Sequence, residues 1–442
     1  MIRSGTARLP AGTVAVATGL LVLGLTSLAY LSLAARTLDS AGFAVLSVVW
    51  TILFILGPGL FLPLEQETAK RLAVITDARL ARIVIRRALL IAAVLAGFVA
   101  VLAAAIALVA GNHLLNSDTA LLLAMIAANS VLALVHCSRG WLAGTGRFVR
   151  YGVQLGLDGT LRMVGAGALL ISGTKSAAAF GWVLFAAQLV AVFATTWGVK
   201  FVRAAAAADQ PVDPLASRAV SLTVLARSIA FMAAATLASQ LLVNAGPLAV
   251  KLLAPPSNAL AGRFLTTLVI ARIPLFMFAA LQASLLPGLA KMVDAGQWHH
   301  MTAALRRLVV SLAVTGLGLT VLVWIAGPTL VGALFGEAYR ADRTPMAVLT
   351  FGCTVYMLAS VLAQALLAMH LSGTVAAGWW IGLGAFALSL VNSVSLPMRV
   401  SVALLVGSIV AGLWFLGALR MRRDERYPKN TEKRAGLRIP VQ

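Results

Sequence analysis

Ionisable side chains buried in long apolar runs are the residues of this sequence best placed to do chemistry. Arg272 sits in the segment ARIP, deep in an apolar run and two residues before Pro274. Arg227, in LARSIA, lies about two turns into another such run. A charge at membrane depth costs about 2.5–3.5 kcal/mol on insertion scales, so it is retained for a partner or a function. A guanidinium there can donate charge-assisted hydrogen bonds to an anionic cargo. Asp158 and Arg162 are four residues apart and share one helical face. They either neutralise each other or serve a proton or a substrate. Glu65 and Glu67, in LPLEQETAKRLA beside Lys70 and Arg71, fit either a solvated ion network at a membrane edge or a coupling-ion site. Pro58 and Pro63 in one apolar run, and Pro274 and Pro287 in another, mark kinks. Proline removes a backbone donor, and lipid tolerates this only where neighbours or water satisfy the freed carbonyl.

Other chemistries are absent from the sequence. It has no phosphate loop, dinucleotide fingerprint or zinc-hydrolase motif, so neither ATP nor a cofactor is expected, and the chain reads as a non-enzyme. Adjacent His299 and His300 lack the i,i+4 spacing of a metal pair, and Cys137 and Cys353 are isolated within apolar runs. A polytopic glycosyltransferase or polymerase would need an acid or base on a sizeable outer loop, and those loops offer chiefly Glu337 and Asp342.

The elements that must position these residues follow from composition. Of 442 residues, 61% are hydrophobic and 11% charged, which excludes a water-soluble globule. Runs of about 20 apolar residues, the length of a membrane crossing, recur twelve times. They fall at 11–35, 41–64, 88–110, 119–135, 151–172 and 177–198, then at 220–242, 264–289, 308–325, 346–369, 375–394 and 400–419. The first is too long for a signal peptide and reads as a retained helix. Twelve crossings place both termini on one side. With that side cytoplasmic, 25 of the 35 Lys and Arg residues lie inside and 7 outside, the bias expected of a plasma-membrane protein with both termini in the cytoplasm. The net charge of +21 is therefore a topology signal, and no nucleic-acid partner is expected.

The expected fold is an all-α polytopic membrane protein of about twelve helices in two six-helix lobes around a central cavity. Residues 1–203 form the first lobe, 204–219 a connector, 220–420 the second lobe and 421–442 a basic tail. Six crossings per half imply a parallel repeat, echoed by Ala69-Lys70 with Ala290-Lys291 and Arg86-Arg87 with Arg306-Arg307. The doubly prolined runs then occupy equivalent places, where interrupted helices point to a transport pathway.

The segments AGFAVLSVVWTILFILGPGLFLPLEQETAKRLA, RGWLAGTGRFVRYG and ARIPLFMFAALQASLLPGLAKM resemble the polysaccharide transporters of the multidrug/oligosaccharidyl-lipid/polysaccharide flippase superfamily, over about residues 11–420. The resemblance implies a cavity lined by the first, second, seventh and eighth helices. It also implies a lipid-linked oligosaccharide or polysaccharide precursor as cargo, moved across a bacterial plasma membrane by alternating access. Arg272, Arg227 and Arg162 would then contact the anionic carrier. Asp158, Glu65 and Glu67 would couple an ion or pair within the protein. Membrane lipids, the lipid-linked sugar and polysaccharide-assembly enzymes would be the partners of a monomer. The alternative is an ion-coupled drug or small-molecule exporter of the multidrug and toxin extrusion type. Those relatives carry acids in the N-terminal lobe, whereas the first helix here has none.

Overall fold

A computed structural model of the chain describes residues 11–198, 221–255, 259–273, 275, 285, 289–391 and 393–426. Pro274, Pro287, the connector 204–219 and residues 427–442 lie outside these. The described residues form helices and short turns, with no strand among them.

The N-terminal lobe consists of α1 (Ala11–Thr37), α2 (Ser40–Leu56), a π-helical turn (Gly57–Phe61), α3 (Leu62–Val74), α4 (Ala78–Leu115), α5 (Thr119–Gly144), α6 (Phe148–Ile171) and α7 (Ala177–Thr196). The C-terminal lobe consists of α8 (Leu222–Asn244), short α9 (Gly246–Leu253), α10 (Leu260–Ala271), α11 (Trp298–Phe335), α12 (Arg343–Ala368), α13 (Ser372–Ser389) and α14 (Leu396–Arg426). Nine of the described helical runs are long and apolar enough to cross a membrane. The remaining three predicted crossings correspond to α6, α10 and α13. The chain is a multi-pass membrane protein with two lobes.

Helix ends differ from the hydropathy boundaries because hydropathy measures the lipid, not the helix. The stretch 70–87, expected as a long loop, is helix on both sides of a break at residues 75–77. Asp77 makes that break by capping α4, its Oδ1 accepting from Arg79 N–H at 2.6 Å. Asp39 caps α2 and Asp118 caps α5 in the same way, at 2.7 and 2.9 Å. Arg139, which lies past the fourth apolar run, is inside α5 and buried, because α5 continues to Gly144. His299 and His300 open α11 instead of lying in a loop. The first residues assigned to the basic tail, 421–426, complete α14.

Within the first lobe, α1 runs along α6, and α5 packs on α3, α4 and α7. The α1–α6 approach depends on glycine. A Cβ on Gly152 would lie 2.2 Å from Ala15 O, and one on Gly19 would lie 2.2 Å from Gly152 O. Such close approach of backbones is how small residues hold membrane helices together where lipid removes the hydrophobic drive. In the second lobe α12 packs on α11 and α14, and α13 on α14 and α8. Gly152→Leu is expected to destabilise the first lobe by about 1–3 kcal/mol or more, the cost of overpacking. Gly167, with nothing within 4 Å of its added Cβ, should tolerate alanine, and thermal unfolding of the two detergent-solubilised variants compares them directly.

Candidate functional site

Two polar sites sit within this apolar bundle: a charged cluster inside the first lobe and a cation at the seam between lobes. The first lobe contains six acidic residues up to residue 198: Asp39, Glu65, Glu67, Asp77, Asp118 and Asp158. Three are spent as caps, so the chemistry falls to Glu65, Glu67 and Asp158, which are 6%, 2% and 2% exposed.

Asp158 and Arg162 of α6 face each other as a bidentate pair, Arg162 Nε donating to Oδ1 at 2.8 Å and Nη2 to Oδ2 at 2.7 Å. Arg139 of α5 adds a second guanidinium, its Nη2 3.6 Å from Asp158 Oδ2. Arg139 Nε and Nη2 are buried without a hydrogen-bond partner among the described residues. Close by, Glu65 of α3 is held by two elements at once. Tyr151 O–H of α6 donates to Oε1 at 2.6 Å, and His136 Nδ1 of α5 lies 2.7 Å from Oε2. Arg139 is also near enough to Glu65 to act on it through space. With His136 neutral, two carboxylates and two guanidiniums leave the cluster without net charge. Gln154 Nε2 extends it, donating to Ser138 Oγ at 2.8 Å.

Glycine brings these groups together. A Cβ on Gly140 would lie 2.7 Å from Glu65 O, and one on Gly144 2.8 Å from Ala69 O, so α3 and α5 touch backbone to backbone. The expectation of a solvated network at Glu65 and Glu67 is corrected by this packing. Glu67, on a different face of α3, is buried too and pairs with Arg71 at 2.7 Å. His136, Arg139 and Tyr151 were not singled out in the sequence. Their signal is a polar residue on the α5 and α6 faces that meet α3, visible only once those faces are known.

The seam forms where helices break. Pro63 cannot donate the usual bond to the Gly59 carbonyl four residues back. The Thr236 hydroxyl of α8, in the other lobe, lies 2.7 Å from that carbonyl, its alternative acceptor being Met232 O at 2.9 Å. The regular helix of α10 ends at Ala271. Arg272 occupies the following turn, and Leu275 N–H bonds back to Arg272 O at 2.9 Å. The half-buried Arg272 guanidinium lies over the Phe54 ring of the first lobe, 5.6 Å from its centroid, close to Cys353 and Tyr356 of α12. Its Nε is buried with no hydrogen-bond partner among the described residues. Arg227, by contrast, is exposed on α8. The three predicted cargo arginines therefore do not converge: Arg162 is tied to Asp158, Arg272 lies at the seam, and Arg227 lies elsewhere on α8.

At the end of the bundle carrying the α1–α2 turn, the lobes are latched. The last carbonyls of a helix have no partner within it. Arg36 of α1 caps those of α11, Nη2 donating to Ala333 O at 2.5 Å and Nε to Leu334 O at 3.2 Å, and the Ser32 hydroxyl also donates to Leu334 O. Phe43 and Tyr339 meet edge to face at 5.1 Å, and Lys251 Nζ donates to Asn116 Oδ1 at 3.5 Å.

No protein-family profile matches the chain. An uncharacterised Mycobacterium tuberculosis protein is 28% identical over 278 residues, covering 61% of this chain and 60% of the relative's own length. A second uncharacterised protein of that species is 26% identical over 419 residues, covering 93% of this chain and 91% of its own. Among solved structures, an inward-facing multidrug resistance MATE family transporter of the MOP superfamily superposes with TM-score 0.72 at 13% identity, covering 97% of this chain and 98% of that one. An outward-facing conformation of such a transporter gives 0.63, at 13% identity and coverages of 94% and 95%. A MOP superfamily transporter from Pyrococcus furiosus, described by a reversed polarity of its binding pocket, also gives 0.63, at 14% identity, with coverages of 93% and 94%. The chain shares the two-lobe fold of these proteins.

Removing one partner of a buried ion pair strands the other's charge and costs ~3–5 kcal/mol. Asp158→Asn strands two guanidiniums and should destabilise by that amount in denaturant unfolding. Adding Arg162→Met should recover a measurable part of the loss.

Proposed function

We propose that the chain is a secondary transporter that alternates access between its two lobes, an ion-coupled exporter of the multidrug and toxin extrusion type. The buried cluster around Glu65 and Asp158 carries this reading. Buried ion pairs are weak stabilisers, because desolvation offsets their attraction, so such a cluster needs a reason other than stability. An imidazole and a carboxylate in contact can share a proton, and each changes its charge when it gains or loses one. Here a single proton would turn a neutral cluster cationic in a low-dielectric interior, where the energetic effect of a charge is largest. The fold shared with transporters captured facing inward and outward supports alternating access, and the charge bias supports cytoplasmic termini in a bacterial plasma membrane. In this mechanism Asp158 stays paired with Arg162 while the Glu65–His136–Tyr151 group exchanges the coupling ion.

One observation favours a second reading, translocation of a lipid-linked oligosaccharide. The buried Arg272 Nε at the seam is an unmet donor suited to an anionic group such as a diphosphate. The Pyrococcus protein is described as having a reversed pocket polarity that suggests a different function, so the fold accommodates such a change.

Reconstituted vesicles with an imposed pH gradient separate the two, with ethidium and a fluorescent short-chain polyprenyl diphosphate as probes. The first reading expects gradient-driven ethidium movement, lost in Asp158→Asn and Glu65→Gln and kept in Arg272→Ala. The second expects polyprenyl diphosphate movement, lost in Arg272→Ala. If neither probe moves, the transporter reading fails.

Alternating access also requires the latch at Arg36 to open. Cysteines placed at Ser32 and Leu334 and bridged by a short bifunctional reagent should arrest transport of whichever probe moves. A bridged protein that transports at the unbridged rate would show that the lobes do not part there.

A further inference from the structure

The two longest described helices are built to one ruler. α4 (Ala78–Leu115) and α11 (Trp298–Phe335) each have 38 residues, and each carries an arginine pair at its ninth and tenth positions, Arg86-Arg87 and Arg306-Arg307. At 1.5 Å per residue a helix of that length spans about 57 Å. The part beyond each arginine pair, residues 88–115 and 308–335, spans about 42 Å. That matches a bilayer measured from headgroup to headgroup, about 40–45 Å. When the far ends of α4 and α11 lie at one membrane surface, both arginine pairs therefore lie at headgroup depth in the other.

The side chains agree with that depth. Arg86, Arg306 and Arg307 are exposed and Arg87 is half-buried. Arg79 and Arg82 precede Arg86 on the same face of α4 and are exposed as well. The opposite face is anchored in protein: Leu80, Ala81, Val84 and Ile85 pack against Leu72 and Trp141. On α11, Met301 and Leu305 are buried in the same manner. Neither helix has an acidic residue in its first ten positions. Each lobe thus presents a basic, outward-facing first three turns, backed by a rigid apolar face, at a fixed height.

We propose that these two arginine elbows are docking sites for the headgroups of anionic phospholipids, one on each lobe. A guanidinium matches a phosphate diester in charge and in hydrogen-bond geometry, and desolvation at the interface strengthens the contact. The pairing in register sets both lobes at one depth in the same leaflet.

The test uses the full chain in phosphatidylcholine vesicles, with trace spin-labelled phosphatidylglycerol or phosphatidylcholine and the motionally restricted fraction read by electron paramagnetic resonance. The expected preference for phosphatidylglycerol is about fivefold, the factor given by ~1 kcal/mol for a basic residue at an anionic surface. It should fall towards unity in the variant Arg86→Gln/Arg87→Gln/Arg306→Gln/Arg307→Gln and persist when the four positions are lysine. If the fourfold glutamine variant does not fold, Arg306→Gln/Arg307→Gln alone, both exposed, should lose part of the preference. Equal association of the two lipids with the native chain, or a preference unchanged in the glutamine variants, overturns the proposal.

Discussion

In hydrocarbon every backbone polar group has to find a partner inside the protein, and this chain breaks that pattern where its lobes meet. Pro63 removes the donor for the Gly59 carbonyl, and the group placed to replace it belongs to Thr236 of the other lobe. Gly59 is the residue that allows it, since a Cβ there would come within 3.1 Å of Leu237 Cα. The kink in the second crossing is therefore completed across the seam. Arg272 follows the point in the second lobe where the regular helix of α10 stops, at Ala271. Both interruptions put polar atoms on a surface that would otherwise be sealed with apolar side chains.

The charged cluster obeys the same constraint by different means. Its carboxylates are too far from water to be hydrated, so each is held by partners from neighbouring helices: Asp158 from α5 and α6, Glu65 from α5 and α6 while itself on α3. The arrangement is asymmetric. Asp158 faces two guanidiniums, those of Arg162 and Arg139. Glu65 faces an imidazole and a phenol, each in hydrogen-bond contact with one of its carboxylate oxygens. Glu65 and His136 lie on α3 and α5, two helices packed backbone to backbone through Gly140 and Gly144. α3 also packs on α8 of the other lobe, so the cluster borders the seam.

The multi-pass helical character and the irregular turn around Pro58 were legible in the sequence, because apolar length and proline placement are one-dimensional quantities. Where helices end was less so. α4 begins ten residues before its apolar run because Asp77 caps it and Leu80, Val84 and Ile85 bury one face in protein, a condition that hydropathy averages away. Asp158 and Arg162 could be paired from their spacing on one helix. Arg139, His136 and Tyr151 could not, since their roles arise from contacts between helices 71 and 86 residues apart in sequence for the Glu65 pairs. Arg139 follows an apolar run, and only the continuation of α5 to Gly144 shows that it is buried.

The distribution of contacts gives the lobes different mechanical character inside and between. Inside the first lobe, α1 and α6 approach to the point where a single methyl group would overlap main-chain oxygen, and α3 and α5 do likewise. Between lobes, the polar ties described are few and made by side chains: Arg36 and Ser32 on the end of α11, Lys251 on Asn116, Thr236 on Gly59. Main-chain packing is bistable only at great cost, whereas a side-chain hydrogen bond contributes about 0.5–1.5 kcal/mol and can be exchanged for water. The polar ties across the seam are thus cheaper to exchange than the main-chain contacts inside the first lobe.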